Sequence, residues 1–172
     1  MNIVLDTTII ISLRQIGCSS ILLDVASAKK WNLMLPVEVR TEATRRQPLA
    51  NELLNAISNG KIVEASSRQL TFNTIQSAHR NLGKGELDAI SIVTDCLDKS
   101  YKPYMILSDD NQARKYGLRH GIKFVGILPL ISIGNNLRLI TKVKALQYLT
   151  QLKKNNFCPT LINERAFRYS LT

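Results

Sequence analysis

The sequence predicts an α/β fold of three layers, in which helices cover both faces of a central parallel sheet and a helical C-terminal extension follows. Short apolar runs typical of strands alternate along the chain with longer stretches typical of amphipathic helices, and this alternation favours a parallel sheet. The chain has 172 residues, of which 45% are hydrophobic, so it is long enough to bury one ordinary core.

The predicted strands are short runs rich in Ile, Val, Leu, Met and Phe, which suit a pleated surface buried on both sides. The run that opens the chain ends in Asp6, and the run YMILS is the most strand-like segment after it. Strands are predicted at residues 2–6, 32–35, 61–65, 104–108 and 122–126.

The predicted helices lie between these strands and beyond the last one. Thr7 or Thr8 can cap the first helix, which stops near Gly17, and Pro36 suits the first turn of the helix that carries Glu42. Residues 66–82 give an ambiguous pattern of helical character. The remaining helices are predicted at residues 19–29, 49–58, 86–97, 113–121, 141–154 and 161–170.

The longest uncharged stretch, Phe124 to Leu137, is interrupted by Gly and Pro, and no helix is predicted there. It is shorter than the ~20 apolar residues that span a bilayer. At the N-terminus, Asp6 interrupts the apolar run before a secretory signal can develop. We therefore expect a cytoplasmic protein that does not associate with membranes.

The cysteines and histidines indicate neither a disulfide framework nor a zinc site. Cys18, Cys96 and Cys158 are odd in number, widely spaced and without a CxxC pattern, which is typical of small buried side chains in a reducing compartment. His79 and His120 stand alone, so they offer no zinc-ligand pattern.

The net charge of +10 lies wholly in the last third of the chain. Residues 1–110 contain 12 basic and 12 acidic side chains, whereas residues 111–172 contain 11 basic side chains and one acid, Glu164. Such an uneven distribution favours a polyanionic partner, most often nucleic acid. The alternative is a lysine-rich surface that is merely solvated.

Six of the 13 acidic residues fall in four short clusters, each where a strand should lead into a helix. Acids at the carboxyl ends of parallel strands converge on one edge of the sheet, where α/β folds place their sites. Gathered carboxylates need a cation, and Mg²⁺ prefers oxygen ligands. The pattern predicts a metal-dependent phosphoryl-transfer site formed by Asp6, Glu42, Glu86, Asp88, Asp109 and Asp110.

The first two clusters each have a simpler structural explanation. Asp6 could cap the helix that follows it, because Asp is favoured at that position. Glu42 could be a solvated acid beside Arg45 and Arg46, and taken alone this is the favoured interpretation.

The third and fourth clusters also leave alternatives open. Glu86 and Asp88 lie in a first helical turn, where acids complement the helix dipole, and residues two apart face different directions. One can therefore bind metal directly while the other holds water, a second metal or a basic side chain. The doublet Asp109–Asp110 could be compensated by Arg114 or Lys115 instead of a cation.

The order of these motifs, LDTT, PVEVRTE, GELDA and LSDD, resembles that of the PIN-domain ribonucleases. The closest likeness is to a subgroup with a GE-acid-A motif and a helical C-terminal extension, similar in sequence to the tail LKKNNFCPTLINERAF. The likeness spans almost the whole chain. It implies a PIN-like nuclease domain at residues 1–135, with the extension at residues 136–172 packed on the same domain.

The resemblance also implies a function and roles for individual residues. Family members include VapC-like toxins of toxin–antitoxin pairs, which cut RNA with Mg²⁺ or Mn²⁺, so we expect a metal-dependent ribonuclease, an antitoxin partner and a homodimer. The catalytic acids would be Asp6, Glu42, Asp88 and Asp110, within a few ångströms of one another. Glu86 and Asp109 would be further metal ligands at the rim.

Uncharged and basic residues complete the expected site. The resemblance implies that the Thr7 hydroxyl orients Asp6 or a metal-bound water, and Ser108 is expected to support the ligands. Arg114, Lys115 and Arg119 follow the fourth cluster in sequence and are expected to bind RNA. The alternative function is a non-catalytic module on the same fold that binds RNA or a protein partner.

Overall fold

The computed structural model describes residues 1–46, 51–97, 103–155 and 164–171, and all five predicted strands are present in it. They form one parallel sheet in the order β3-β2-β1-β4-β5, which confirms the predicted α/β architecture. The strands are β1 (Asn2–Leu5), β2 (Asn32–Pro36), β3 (Ile62–Ala65), β4 (Tyr104–Leu107) and β5 (Lys123–Val125).

Ten helices occupy the described ranges. Those before β4 are α1 (Thr7–Gln15), α2 (Ser19–Lys29), α3 (Val37–Arg46), α4 (Asn51–Ser58), α5 (Gln69–Ala78) and α6 (Lys84–Leu97). Those after it are α7 (Asn111–Arg119), α8 (Ile127–Asn136), α9 (Lys142–Lys154) and α10 (Glu164–Tyr169).

Alternate residues of each strand feed two separate hydrophobic clusters, one on each face of the sheet. Ile3 and Leu107 pack on one face, in a cluster that includes buried residues of α1, α2, α4 and α8. Val4 and Ile106 pack on the other face, against residues of α5, α6 and α7. This arrangement gives the predicted three layers.

The C-terminal helices pack on the first of these faces. Leu149 and Leu152 of α9, together with Phe167 of α10, belong to the same cluster as the residues of α1 and α8. The division between residues 135 and 136 stays a prediction. The part of the last predicted helix before Glu164 lies outside the described residues.

One helix was missed. The interrupted stretch from Phe124 to Leu137 contains α8, whose residues Leu130 and Ile131 are fully buried. Pro129 is the third residue of α8, in the first turn, where backbone N–H groups have no partner inside the helix. Pro therefore does not disrupt this helix.

Two smaller differences affect boundaries. Pro36 closes β2, and α3 begins only at Val37, so the proline precedes the helix. Helix α6 begins at Lys84, two residues before the predicted start. Among the described residues, no single helix is long and apolar enough to cross a membrane; α1 and α2 reach that length only as a pair bent by 118°.

Candidate functional site

Asp6 follows the central strand β1, at the point where the strand order changes direction between β1 and β4. Asp6 occupies the N-cap position of α1, but its side chain is buried and makes no capping hydrogen bond, so capping does not explain the carboxylate. Instead, Oδ2 accepts hydrogen bonds of 2.7 Å from the hydroxyls of Thr8 and Ser108. Within the described structure, Oδ1 is buried without a hydrogen-bond partner.

The protonation of Asp6 reflects this environment. Burial raises the pKa of its carboxyl above the ordinary value, because the charged form loses hydration. The hydroxyls of Thr8 and Ser108 oppose that rise in pKa, and the negative charge of Asp110 adds to it. The carboxylate would gain from a positive charge beside Oδ1.

The carboxyl end of β4 is fastened to Asp6 and to the start of α1. The Ser108 hydroxyl bonds Asp6 and accepts a 3.0 Å hydrogen bond from the Asp110 N–H. The Asp109 N–H donates to the Thr8 hydroxyl at 3.2 Å. The backbone that carries the fourth acid cluster is thereby fixed next to the first.

Glu42 is brought to the same edge by α3. Its Oε2 accepts a 2.9 Å hydrogen bond from the Thr7 hydroxyl, and its Oε1 accepts one of 3.1 Å from the Gly85 N–H. These contacts contradict the interpretation of Glu42 as a solvated acid. Thr7 orients Glu42 rather than Asp6.

Gly85 makes this approach possible. A Cβ atom at that position would lie 2.6 Å from Oε2 of Glu42 and 2.7 Å from the Thr7 hydroxyl oxygen, closer than non-bonded atoms come. The absence of a side chain lets the first turn of α6 pack directly against α3 and α1.

The carboxyl of Glu86 is affected by the charges of Asp6, Asp110 and Glu42. Its Oε2 accepts a hydrogen bond from the Gly83 N–H just before α6, as the acid of a capping box does. Burial, followed by the charges of Asp6, Asp110 and Glu42, raises the pKa of Glu86 to about 7, although the Gly83 bond opposes the rise. The third cluster therefore meets the others through Glu86.

Asp88 lies elsewhere. Its carboxylate is buried, with Oδ2 accepting a 3.3 Å hydrogen bond from the Glu38 N–H and Oδ1 accepting one of 3.1 Å from the Ser67 N–H. Both oxygens thus hold backbone at the start of α3 and ahead of α5. The prediction of Asp88 as a central ligand and Glu86 as a rim ligand stays a prediction, but the charge of Asp6 acts on Glu86, whereas both oxygens of Asp88 bind backbone.

The two members of the fourth cluster also separate. Asp110 caps α7, with Oδ1 accepting a 2.7 Å hydrogen bond from the Ala113 N–H, and its charge raises the pKa of both Asp6 and Glu86. Oδ2 of Asp109 instead accepts a 3.0 Å bond from the Ile127 N–H ahead of α8. The charge of Asp6 also raises the pKa of Asp109, so both acids of the doublet are coupled to Asp6.

Asp109 has a basic neighbour of its own. Burial raises the pKa of Asp109, whereas the Ile127 hydrogen bond and the Arg114 guanidinium lower it. Arg114 therefore compensates an acid, while Lys115 and Arg119 are exposed on α7. The three predicted RNA-binding residues do not form one group.

Two contributors to the site were not assigned a role from the sequence. Thr8 was considered only as a possible cap of the first helix, yet its hydroxyl holds Asp6. A Thr two residues after an Asp at a helix start is a signal for this local hydrogen bond. Gly83, which binds Glu86, occupies the position before the first turn of α6.

The described residues contain no group of three His, Cys, Asp or Glu side chains arranged to hold a metal ion. The expectation that Asp6, Glu42, Asp88 and Asp110 lie within a few ångströms of one another stays a prediction. In the described structure, separate backbone N–H groups bind Glu42, Asp88 and Asp110.

Comparison with known protein families gives a match over nearly the whole chain. A protein-family model described as "DUF3368: PIN domain" matches residues 2–164. No curated protein matches the chain.

Proposed function

Because the family match covers residues 2–164, the chain belongs to the PIN-domain family, and from that premise we propose that it is a metal-dependent ribonuclease. PIN domains are generally nucleases and typically use divalent metal ions. The proposal adds the substrate, RNA, and the ion, Mg²⁺ or Mn²⁺. The observation that carries it is the buried, unpartnered Oδ1 of Asp6 beside the charges of Glu86 and Asp110.

The chemistry of the donors suits a hard divalent cation, although the described side chains are not arranged as a three-ligand group without one. Asp6, Glu86 and Asp110 each use one carboxylate oxygen for a hydrogen bond within the protein, namely Oδ2, Oε2 and Oδ1. The opposite oxygen of each is the candidate ligand, and oxygen ligands are those that Mg²⁺ and Mn²⁺ prefer. A cation here would also offset the repulsion that raises the pKa of Glu86.

The residues of this chain would have the following roles in the site. Asp6 would be the central ligand, and the hydroxyls of Thr8 and Ser108 would orient its carboxylate and favour its charged form. Asp6, Glu86 and Asp110 would together form the acid edge of the sheet. Glu42 would fix the first turn of α6 through Gly85. When bound, the cation would lower the pKa of an attacking water and neutralise charge on the scissile phosphate.

With these roles, activation of the attacking water requires no side-chain general base. Glu86 has a pKa raised to about 7 without a cation, and a bound cation would favour its ionised form. The acid edge therefore acts through position and charge.

RNA is the proposed substrate because acid groups and excess basic charge occur in one chain. The last 62 residues supply the net charge of +10, which suits a polyanion. A module that only bound RNA would gain nothing from carboxylates facing phosphates, so cleavage is the better account of the acid edge.

A cleavage assay tests the proposal. Purified protein should cut labelled single-stranded RNA when Mn²⁺ or Mg²⁺ is added and stop when EDTA is present. Asp6→Asn, prepared in parallel, controls for contaminating nucleases and should be inactive. Equal RNA binding by both proteins, with no cleavage by either in any metal, would instead support the non-catalytic binding module.

The toxin role, the antitoxin partner and the homodimer form the finer part of the proposal. Expression of the wild-type chain should arrest growth, whereas Asp6→Asn should not, and co-expression of a neighbouring small gene should restore growth. Light scattering of the purified protein should give twice the mass of the 19.3 kDa chain. Normal growth on wild-type expression would contradict the toxin role and leave the nuclease proposal standing.

A further inference from the structure

A cavity of about 580 Å³ opens between α7 and the segment that joins α5 to α6. Its volume lies in the range of roughly 300–1,000 Å³ that small-molecule sites occupy. None of the acids Asp6, Glu86 and Asp110 lines this cavity. Its lining includes cationic, aromatic and amide side chains: His79, Arg80, Gln112, Lys115, Tyr116 and Arg119.

The cavity is positively charged. Arg80, Lys115 and Arg119 line it and are exposed, and the described residues that line it include no acid. These three cations come from two separate parts of the chain: Arg80 from the α5–α6 connection, Lys115 and Arg119 from α7. They can therefore contact a phosphate from two sides, which a single basic helix face would not do.

An aromatic wall accompanies these cations. The rings of His79 and Tyr116 meet edge to face, with centroids 4.7 Å apart and an interplanar angle of 86°. Tyr116 also stacks on His120 at 4.2 Å and 22°. Tyr116 is partly buried against the core, so its ring is held in place before any ligand arrives.

Both walls lead directly to the acid edge. The connection that carries His79 and Arg80 continues through Leu82 to Gly83, whose N–H binds Glu86. On the other wall, Gln112 is the second residue of α7, which Asp110 caps. A strand of nucleic acid seated in the cavity would therefore pass the acids within a short length of backbone.

We propose that this cavity binds one unstacked nucleotide of a single-stranded RNA, next to the bond that is cut. The base contacts the rings of His79 and Tyr116, while Arg80, Lys115 and Arg119 contact the backbone phosphates. Aromatic contact with splayed-out bases is the usual way in which proteins recognise single-stranded RNA. This inference rests on the proposed ribonuclease function and names its substrate class as single-stranded.

Binding is measured in the Asp6→Asn background, so that cleavage does not interfere. The probes are a labelled 12-nucleotide RNA, its duplex, and an abasic ribose-phosphate chain of equal length. Tyr116→Ala should weaken binding of the single strand about tenfold or more, since stacking on one aromatic side chain contributes that much. It should leave binding of the abasic chain unchanged, and Tyr116→Phe should bind as the parent does.

The cations are tested with a matched pair of double variants. Arg80→Ala with Arg119→Ala should weaken binding of the single strand and of the abasic chain, and should reduce the slope of log Kd against log salt by about 1.4. Lys29→Ala with Lys142→Ala removes the same charge from exposed positions outside the cavity lining. That control should have a smaller effect on both the affinity and the slope.

These measurements test the nucleotide-site proposal independently of the ribonuclease proposal. If Tyr116→Ala binds the base-containing and abasic chains with equal losses, or the two double variants behave alike, the cavity is not a nucleotide site, whether or not RNA is cut. Duplex bound as tightly as the single strand would overturn it too. If the cavity variants lose binding as expected while no metal supports cleavage, the nucleotide site stands and the nuclease proposal fails.

Discussion

The Ser108 hydroxyl donates a 2.7 Å hydrogen bond to Oδ2 of Asp6 across 102 positions of sequence. The register of the sheet explains the contact, because Leu5 of β1 pairs with Leu107 of β4 and the next residue of each strand is Asp6 or Ser108. Parallel pairing therefore places an acid beside a hydroxyl at the carboxyl edge, where the proposed chemistry occurs.

Ser108→Ala should lower the free energy of unfolding by about 1–3 kcal/mol. The substitution removes the donor to Asp6 and the acceptor of the Asp110 N–H in a buried position, and lost buried hydrogen bonds have this cost. Urea unfolding measures the change. Ser77→Ala, which removes an exposed hydroxyl bonded to the Thr74 carbonyl, should cost far less; equal costs would contradict the linking role of Ser108.

Asp6→Asn should abolish cleavage and raise the melting temperature of the protein in EDTA. The amide keeps the shape of the side chain but removes a buried charge whose pKa is already raised by burial. Thermal unfolding at pH 8 should show an increase of a few degrees, and added Mn²⁺ should stabilise the wild-type protein but not the variant. Cleavage at the wild-type rate would refute the proposed mechanism.

Gly85→Ala should lower both stability and activity. The added Cβ would lie 2.6 Å from Oε2 of Glu42 and 2.7 Å from the Thr7 hydroxyl, so either these side chains give up their hydrogen bonds or α6 moves, at a cost of about 1–3 kcal/mol. Lys84→Ala, in the same turn but exposed, is the stability control. An unchanged unfolding midpoint for Gly85→Ala would mean that the close approach of α6 is not required.

Much of this fold could be predicted from local patterns. The strands were found because each is a short apolar run, and the α/β class follows from their alternation with helices. Helix α8 was missed because Gly126 and Pro129 signal an interruption, although a proline in a first turn breaks no helical hydrogen bond. Composition alone does not reveal where a helix begins relative to such a residue.

The sequence predicts that the acid clusters meet at one edge of the sheet, but it does not predict the hydrogen bonds that hold each acid. Spacing shows that Glu86 and Asp88 face different directions, yet it does not show which of them faces Asp6. That depends on the N–H groups of Glu38 and Ser67, which capture Asp88 and come from distant segments. Tertiary hydrogen bonds of this kind leave no local trace in the sequence.

The metal-free protein should lose stability as the pH rises from about 5 to 8. Glu86 has a folded-state pKa raised from 4.5 to about 7, so its protonated form is favoured by folding, and that contribution disappears as the pH passes 7. Asp6 and Asp109 are shifted in the same direction. Glu86→Gln should flatten the curve without removing its slope.

Melting temperatures in EDTA across this pH range measure the effect. Glu52→Gln, at an exposed acid in the first turn of α4, should follow the wild-type curve. Parallel curves for wild type and Glu86→Gln would show that Glu86 does not titrate in this range.

The different hydrogen bonds of Glu86 and Asp88 give opposite expectations for their amide variants. Asp88→Asn should destabilise the fold by about 1–3 kcal/mol, because its NH₂ group would face the N–H of Glu38 or Ser67 in a buried position. At a temperature where it stays folded, Asp88→Asn should retain most of the metal-dependent activity.

Glu86→Gln should stay at least as stable as the wild type above pH 7 and lose activity, since it removes a proposed ligand. Unfolding midpoints and cleavage rates of both variants, measured in one buffer, decide the assignment. A stable, inactive Asp88→Asn would restore Asp88 as the metal ligand and contradict the role given to Glu86.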